Sequence, residues 1–231
     1  MAKKHWPEII YEDKEIIVIN KPAGLLSIAT EAQRDATAWR QVTDYLQIRN
    51  KRARAFIVHR LDRDTSGVLL FAKNEEIKLA LQEKWNEIVT CRGYTAVVSG
   101  EPPKEEDTIT SYLLENKAHI VYSAPKNKGG KEAVTCYRKV SSRRGFSLLD
   151  IEIKTGRKNQ IRVHMKEAGC PVVGDKKYGD GSNPLRRLGL HAGKLELHHP
   201  VTGALLTFEA PMPAEFTRLF TQKPAKETDE V

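Results

Sequence analysis

Residues 56–72 read Phe-Ile-Val, then His59-Arg60-Leu61-Asp62-Arg63-Asp64-Thr65-Ser66-Gly67, then Val-Leu-Leu-Phe-Ala. Two apolar runs bracket a polar, turn-like segment. Both runs are too short for helices, and the second, Val68–Ala72, has the continuous apolar character of a strand buried on both faces. A loop held between two such strands stands on rigid elements. Arg60, Asp62, Arg63 and Asp64 crowd into this one, more charge than a turn needs.

Outward from this segment the pattern alternates. Upstream, Ile9–Asn20 reads as a hairpin with Glu12-Asp13-Lys14 at its turn, and Ile16–Ile19 is another doubly buried run. Trp39, Val42, Tyr45 and Leu46 recur at helical spacing, which predicts a helix over 37–48, followed by a basic loop over 49–54. Downstream, Ile77, Leu81, Trp85 and Ile88 predict one amphipathic helix over 75–88, and Tyr94–Val98 a strand. Short strands broken by turns are expected over 108–153, with Val134–Val140 and Phe146–Ile153 paired across Ser141–Gly145. A short helix is expected over Asn159–Ala168, ended by Gly169 and Pro171. Strands follow near Lys194–Leu197 and Leu205–Phe208, then a last helix over Ala214–Phe220. Helices interspersed among hairpin-like strands, with no repeat and no linker, predict a single α+β domain over 9–220. Its sheet is expected to be mixed and largely antiparallel, with flanking helices and loops. Residues 1–8 read as an N-terminal extension and 221–231 as a polar, disordered tail.

The 231 residues carry a formal net charge of +8, which favours polyanionic partners through phosphate neutralisation. The cations cluster at Arg49, Lys51, Arg52 and Arg54, and again at Lys126, Lys128 and Lys131. Arg52, Arg54 and Lys128 are accordingly candidate contacts to the phosphates of a polyanion. Cys91, Cys136 and Cys170 are far apart with no CxxC pair, which argues against a structural zinc site and against a secreted disulfide framework. No signal-like or membrane-spanning apolar run is present, and a cytoplasmic, monomeric protein is expected.

Two further segments hold polar residues that a fold alone does not require. In Gly156–His164, helical geometry puts Gln160 and His164 on one face and lets Arg162 point to a site beside the helix start. Gly174-Asp175-Lys176-Lys177-Tyr178-Gly179 is bracketed by glycines like a tight functional loop.

Taken together, the segments carry a resemblance. HRLDRDTSGVLLFAKN (59–74) resembles the catalytic motif of the RluA family of RNA pseudouridine synthases, and GRKNQIRVHMKEAGCPVVGDKKYG (156–179) a later motif of that family. INKPAGLLS (19–27) is similar to its first motif and LGLHAGKLELHHPVTG (188–203) to its last. Residues 9–212 are covered, in the family's order. The stretch before residue 9 is too short for the S4-type RNA-binding domain of many relatives, so the likeness is to the shorter members.

The resemblance implies roles at matching positions. Asp62 corresponds to the catalytic aspartate, Tyr94 in RGYTAVVSG to the tyrosine that packs on the target base, and Arg162 to the aspartate's basic partner. Ile161 corresponds to an apolar pocket residue and Arg60 to an arginine that helps displace the target nucleotide. Asn159 departs from the family's usual histidine: a hydrogen-bonding group stays and a titratable one is lost. The implied reaction isomerises uridine in rRNA or tRNA stem-loops, breaking the bond from C1′ to N1 and rejoining the base through C5. It calls for no cofactor and no metal. The carboxylate attacks C1′ or removes the C2′ proton; either chemistry suits an aspartate. Two other readings use the same residues differently. A noncatalytic RNA-binding module would need the basic clusters but not Asp62. A glycoside or nucleoside hydrolase would need a second carboxylate as acid, for which Asp64 and Asp175 are candidates.

Overall fold

The computed structural model describes residues 6–29 and 37–221. The expectation for the tail beyond Thr221, and most of that for the N-terminal extension, lies outside the described residues. Glu8, assigned above to the extension, already pairs with Asn20 in the sheet.

In chain order the elements are β1 (Glu8–Glu12), β2 (Ile16–Lys21), α1 (Ala38–Arg49), β3 (Phe56–Ile57), β4 (Ser66–Ala72), α2 (Glu75–Glu83) and α3 (Trp85–Ile88). There follow β5 (Val89–Ser99), β6 (Glu106–Glu115), β7 (Val121–Ser123), β8 (Lys131–Arg143) and β9 (Phe146–Ile153). The chain closes with α4 (Gln160–Glu167), β10 (Leu190–His198), β11 (Leu205–Glu209) and α5 (Ala214–Thr221). The strands form one mixed sheet in the order β1-β2-β4-β10-β5-β9-β8-β6-β7, with β3 on β4 and β11 on β10. Among these strand pairs β4 and β10 are parallel and the rest antiparallel.

The doubly apolar runs sit where their composition requires. Alternate residues of β2 and β4 face opposite ways: Ile16, Val18, Val68 and Leu70 enter one core with Ile77 and Leu81 of α2. Ile17, Ile19, Leu69 and Phe71 enter the other with Ala38, Val42 and Leu46 of α1. Thr37 caps α1 by accepting from the Arg40 N–H at 3.1 Å.

The central sheet forks at one point. β10 lies beside β4 only at Ser66–Gly67, opposite His191–Ala192. Beyond it, β3 takes the edge of β4 and β11 takes the edge of β10. Gly67 makes the junction possible. Its φ is +113°, and a Cβ there would stand 2.1 Å from the Ala192 carbonyl oxygen.

Two expectations are corrected. The helix expected over 75–88 is broken at Lys84 into α2 and α3; the break lets Trp85 stack on His59, ring centroids 5.0 Å apart. Within the segment 108–153 only β7 is short, at three residues; β6, β8 and β9 are longer than expected. β8 has 13 residues, bent by a bulge between Lys139 and Ser141, and the β8–β9 turn is only Arg144-Gly145. Both turn residues have positive φ (52° and 75°), the signature of a type I′ hairpin. Among the described residues no helix is long and apolar enough to cross a membrane.

Candidate active site

Asp62 closes the extended stretch that follows β3 and opens the turn into β4; its carbonyl accepts from the Thr65 N–H at 3.2 Å. Three contacts pin this loop. Ser27 Oγ donates to the Leu61 carbonyl at 2.7 Å and accepts from the Leu61 N–H at 3.1 Å. His59 Nε2 accepts from the Leu70 N–H at 3.1 Å, so its proton sits on Nδ1. Lys21, fully buried, donates to the carbonyls of Pro22, Leu25 and Arg63 at 2.8–3.0 Å. Three acceptors match the three protons of an ammonium, although burial pushes Lys21 down to about 7 against the charges of Asp64 and Asp62.

On the other side of the cleft α4 presents Arg162. Its Nη1 donates to Asp62 Oδ2 at 2.9 Å and to Asn159 Oδ1 at 3.0 Å. Its Nε and Nη2 grip both oxygens of Asp175, at 2.6 and 2.7 Å. Asp175 has no exposed side-chain surface, and its Oδ1 also accepts from the Lys177 and Tyr178 N–H groups. Burial alone would raise its pKa; the Arg162 pair and the two backbone donors outweigh that and hold it below the usual carboxylate range. Arg162 is likewise burdened by burial, yet Asp175 and Asp62 raise it further above its ordinary value. It is a permanent cation. No hydrogen bond from the described residues reaches Asp62 Oδ1, and the side chain is 32% exposed.

Asn159 takes a left-handed conformation (φ 54°) at the start of α4. Its amide donates to Tyr178 Oη at 3.2 Å, and that oxygen accepts from the Val121 N–H at the head of β7. The helix is not the exposed basic helix its composition would allow. Gln160, Ile161, Val163, His164 and Met165 are buried. Gln160 and His164 share a face, as the spacing required, and both reach Thr135 Oγ1 at 2.9 Å.

The cleft between Asp62 and Arg162 holds about 100 Å³ and is walled by Arg60, Thr65, Tyr94, Arg157 and Ile161, with Ile153 and Leu190 as further apolar lining. Burial raises the Tyr94 phenol to about 12, with the Asp62 charge adding and Arg92 opposing. Asp62, Tyr94, Arg162, Arg60 and Ile161, from distant parts of the sequence, thus line one cleft. Arg52 and Arg54 do not; they line a separate cavity of about 580 Å³ with Glu12, Tyr45 and Phe56. Lys128 stands on an exposed 3-10 turn, Lys126–Lys128, before β8 and does not line the cleft. Sequence reasoning took Asp175 only for a possible acid. The glycine bracket around it was the available signal for its clamping position.

Among the described residues Asp13, Glu15 and His199 approach as a metal site would. Two of the three are largely committed to other donors: Asp13 accepts from Tyr11 Oη and the Glu15 and Ile16 N–H groups, and His199 Nδ1 from those of Val201 and Thr202. His199 Nε2 then faces Asp13 at 3.1 Å, tying two turns together.

Residues 15–167 match the family model described as RNA pseudouridylate synthase. The chain is 36% identical over 214 residues to the uncharacterized RNA pseudouridine synthase YhcT of Bacillus subtilis, covering 92% of this chain and 70% of that one. It is 36% identical over 225 residues to ribosomal large subunit pseudouridine synthase C of Rickettsia bellii, covering 95% and 73%. The structure of human RNA pseudouridylate synthase domain containing 4 shares the fold, with a TM-score of 0.76 at 23% identity over 94% of this chain and 95% of that one. The chain therefore belongs to the RluA family of RNA pseudouridine synthases, isomerases that convert uridine in RNA to pseudouridine.

Proposed function

We propose that this enzyme modifies uridines in stem-loops of ribosomal RNA, with Asp62 as the reacting carboxylate, Arg162 as its charge partner and Tyr94 as the platform for the base. One observation carries the assignment: Asp62 gives one oxygen to Arg162 at 2.9 Å and keeps the other free of donors from the described residues, in a cleft shared with Tyr94. The free oxygen is the one that attacks C1′ or takes the C2′ proton. The C1′–N1 bond breaks, the base turns against Tyr94 and rejoins C1′ through C5, and C5 loses a proton while N1 gains one. Atoms and electrons balance without an oxidant, so no redox cofactor is called for.

The cleft is smaller than the ~300–1,000 Å³ usual for ligand sites. Arg60 and Arg157, both exposed, are the wall residues able to swing aside when a flipped uridine enters. Unstacking costs a few kcal/mol and least in loops, which favours a stem-loop target. Ribosomal RNA is favoured by the likeness to the ribosomal large subunit pseudouridine synthase of Rickettsia bellii. A tRNA substrate is the competing outcome. Hydrolysis fits poorly: Asp175 is held as an anion against Arg162 and has no proton to give a leaving group, and Asp64, paired with Arg63, does not line the cleft.

The test uses RNA tritiated at uridine C5, as ribosomal RNA and as tRNA from cells lacking this gene. Wild type should release tritium and form pseudouridine in the ribosomal RNA; Asp62→Asn should bind it and release none. Equal yields from both proteins would remove Asp62 from the mechanism. Binding without product from wild type would leave a noncatalytic RNA-binding module.

A further inference from the structure

The two arginines that missed the cleft stand at a site of their own. Their cavity, about 580 Å³ and open, is lined by Lys14, Arg49, Arg52, Arg54 and Lys73 against the acids Glu12 and Glu75. Glu12 is already shared: Lys73 reaches it at 2.9 Å, Arg49 at 3.9 Å, and the Tyr45 hydroxyl donates to it at 3.0 Å. Lys14, Arg52 and Arg54 form no ion pair with the described residues, and both arginines are exposed. Uncompensated cations around one concavity concentrate positive potential there.

The position of this cavity follows from the fork in the sheet. Phe56, which lines it, pairs with Ala72 at the end of β4, whereas Asp62 precedes Ser66 at the start of β4. The six residue steps of β4 separate the two places by about 20 Å. The intervening chain, 56–61, lies along the same edge of β4, held by the β3 pairing and the His59–Leu70 bond. It carries exposed Arg60 at the cleft end and follows exposed Arg54 at the cavity end.

We propose that this cavity is a second RNA site, one that holds phosphodiesters of the substrate's helical stem about 20 Å from the uridine being isomerised. The inference rests on the enzyme acting on RNA as proposed above. Its occupant is a phosphate chain rather than a small anion: the cavity is wide and open, and several separate cations line it. A stem shorter than the span cannot reach both places. The substrate is therefore a stem-loop with an extended helix, and the site acts as a ruler on stem length.

Two hairpins with the same uridine-containing loop, with stems of roughly half and twice the 20 Å span, test this by binding at several salt concentrations. Wild type should bind the long hairpin about tenfold more tightly or better. Arg52→Gln/Arg54→Gln should lose that advantage, and its salt slope on the long hairpin should fall by about two. The substitutions are on exposed, unpaired side chains, and circular dichroism checks that the fold is kept. An equal loss on both hairpins, or no length preference in wild type, would overturn the ruler. Pseudouridine formation by wild type is scored separately. Length-dependent binding without product would sink the catalytic reading and leave the site standing.

Discussion

At the scale of single residues, the site turns on a shared guanidinium. Arg162 answers two carboxylates, and they are unequal: Asp175 is fully buried and doubly bonded to it, while Asp62 is partly exposed and singly bonded. Asp175 is thus the structural anchor, and Asp62 is the partner proposed to react. Replacing Arg162 with alanine strands the Asp175 charge in the interior, which should cost about 3–5 kcal/mol of stability along with turnover. Adding Asp175→Asn removes the stranded charge. The double variant should regain most of the stability in urea titrations and none of the turnover. A double variant as unstable as Arg162→Ala, or an Arg162→Ala enzyme with normal turnover, would contradict this division. Asp62, Tyr94 and Arg162 were legible in the sequence because each stands inside a motif. Asp175 was visible only as a charged residue in a glycine-bracketed loop. Its purpose depends on a partner 13 positions away across a turn, and spacing along the chain does not encode that contact.

At the scale of elements, the sequence disclosed strands better than their limits. Doubly apolar runs at β2 and β4 announce themselves, because burial on both faces leaves no polar alternation. The break between α2 and α3 did not, since Ile77, Leu81, Trp85 and Ile88 keep helical spacing straight through it. Tertiary contact with His59 prevails there over local periodicity. The same histidine replaces a strand partner for the Leu70 N–H and so fastens the loop that carries Asp62 to β4. Burial, aided by the Arg92 charge, depresses it to about 4 from an ordinary 6.5. Between those values the unfolded chain binds more protons than the folded one. The stabilisation is therefore complete above pH 6.5 and lost as pH falls toward 4, by up to about 3 kcal/mol. His164 and His191 are depressed by burial in the same direction, so a difference measurement isolates His59. In His59→Gln, whose amide oxygen can accept from Leu70 without titrating, unfolding free energy should fall less than in wild type over that window. Parallel pH curves for the two proteins would rule out the role.

At the scale of the whole molecule, the cleft lies between two parts of one sheet. Asp62 comes from the part built on β1, β2, β4 and α1, and Arg162 with Tyr94 from the part built on β5–β9 and α4. β10 joins them, touching β4 on one side and β5 on the other. Tyr94 packs against both the α1 core and the α4 core. A chain of 231 residues is long enough for its parts to unfold separately. The shared strand and the shared tyrosine argue that they do not, which is the physical content of a single domain running from β1 to α5. The tryptophans offer a test, because Trp6, Trp39 and Trp85 all belong to the first part. Tryptophan fluorescence therefore reports that part alone, whereas far-ultraviolet circular dichroism reports every strand and helix. In urea the two signals should give the same midpoint and the same slope. A dichroism transition that continues after the fluorescence change is complete would mean that the α4 half stands by itself. In that event β10 would be a hinge, and the distance between Asp62 and Arg162 would depend on its angle.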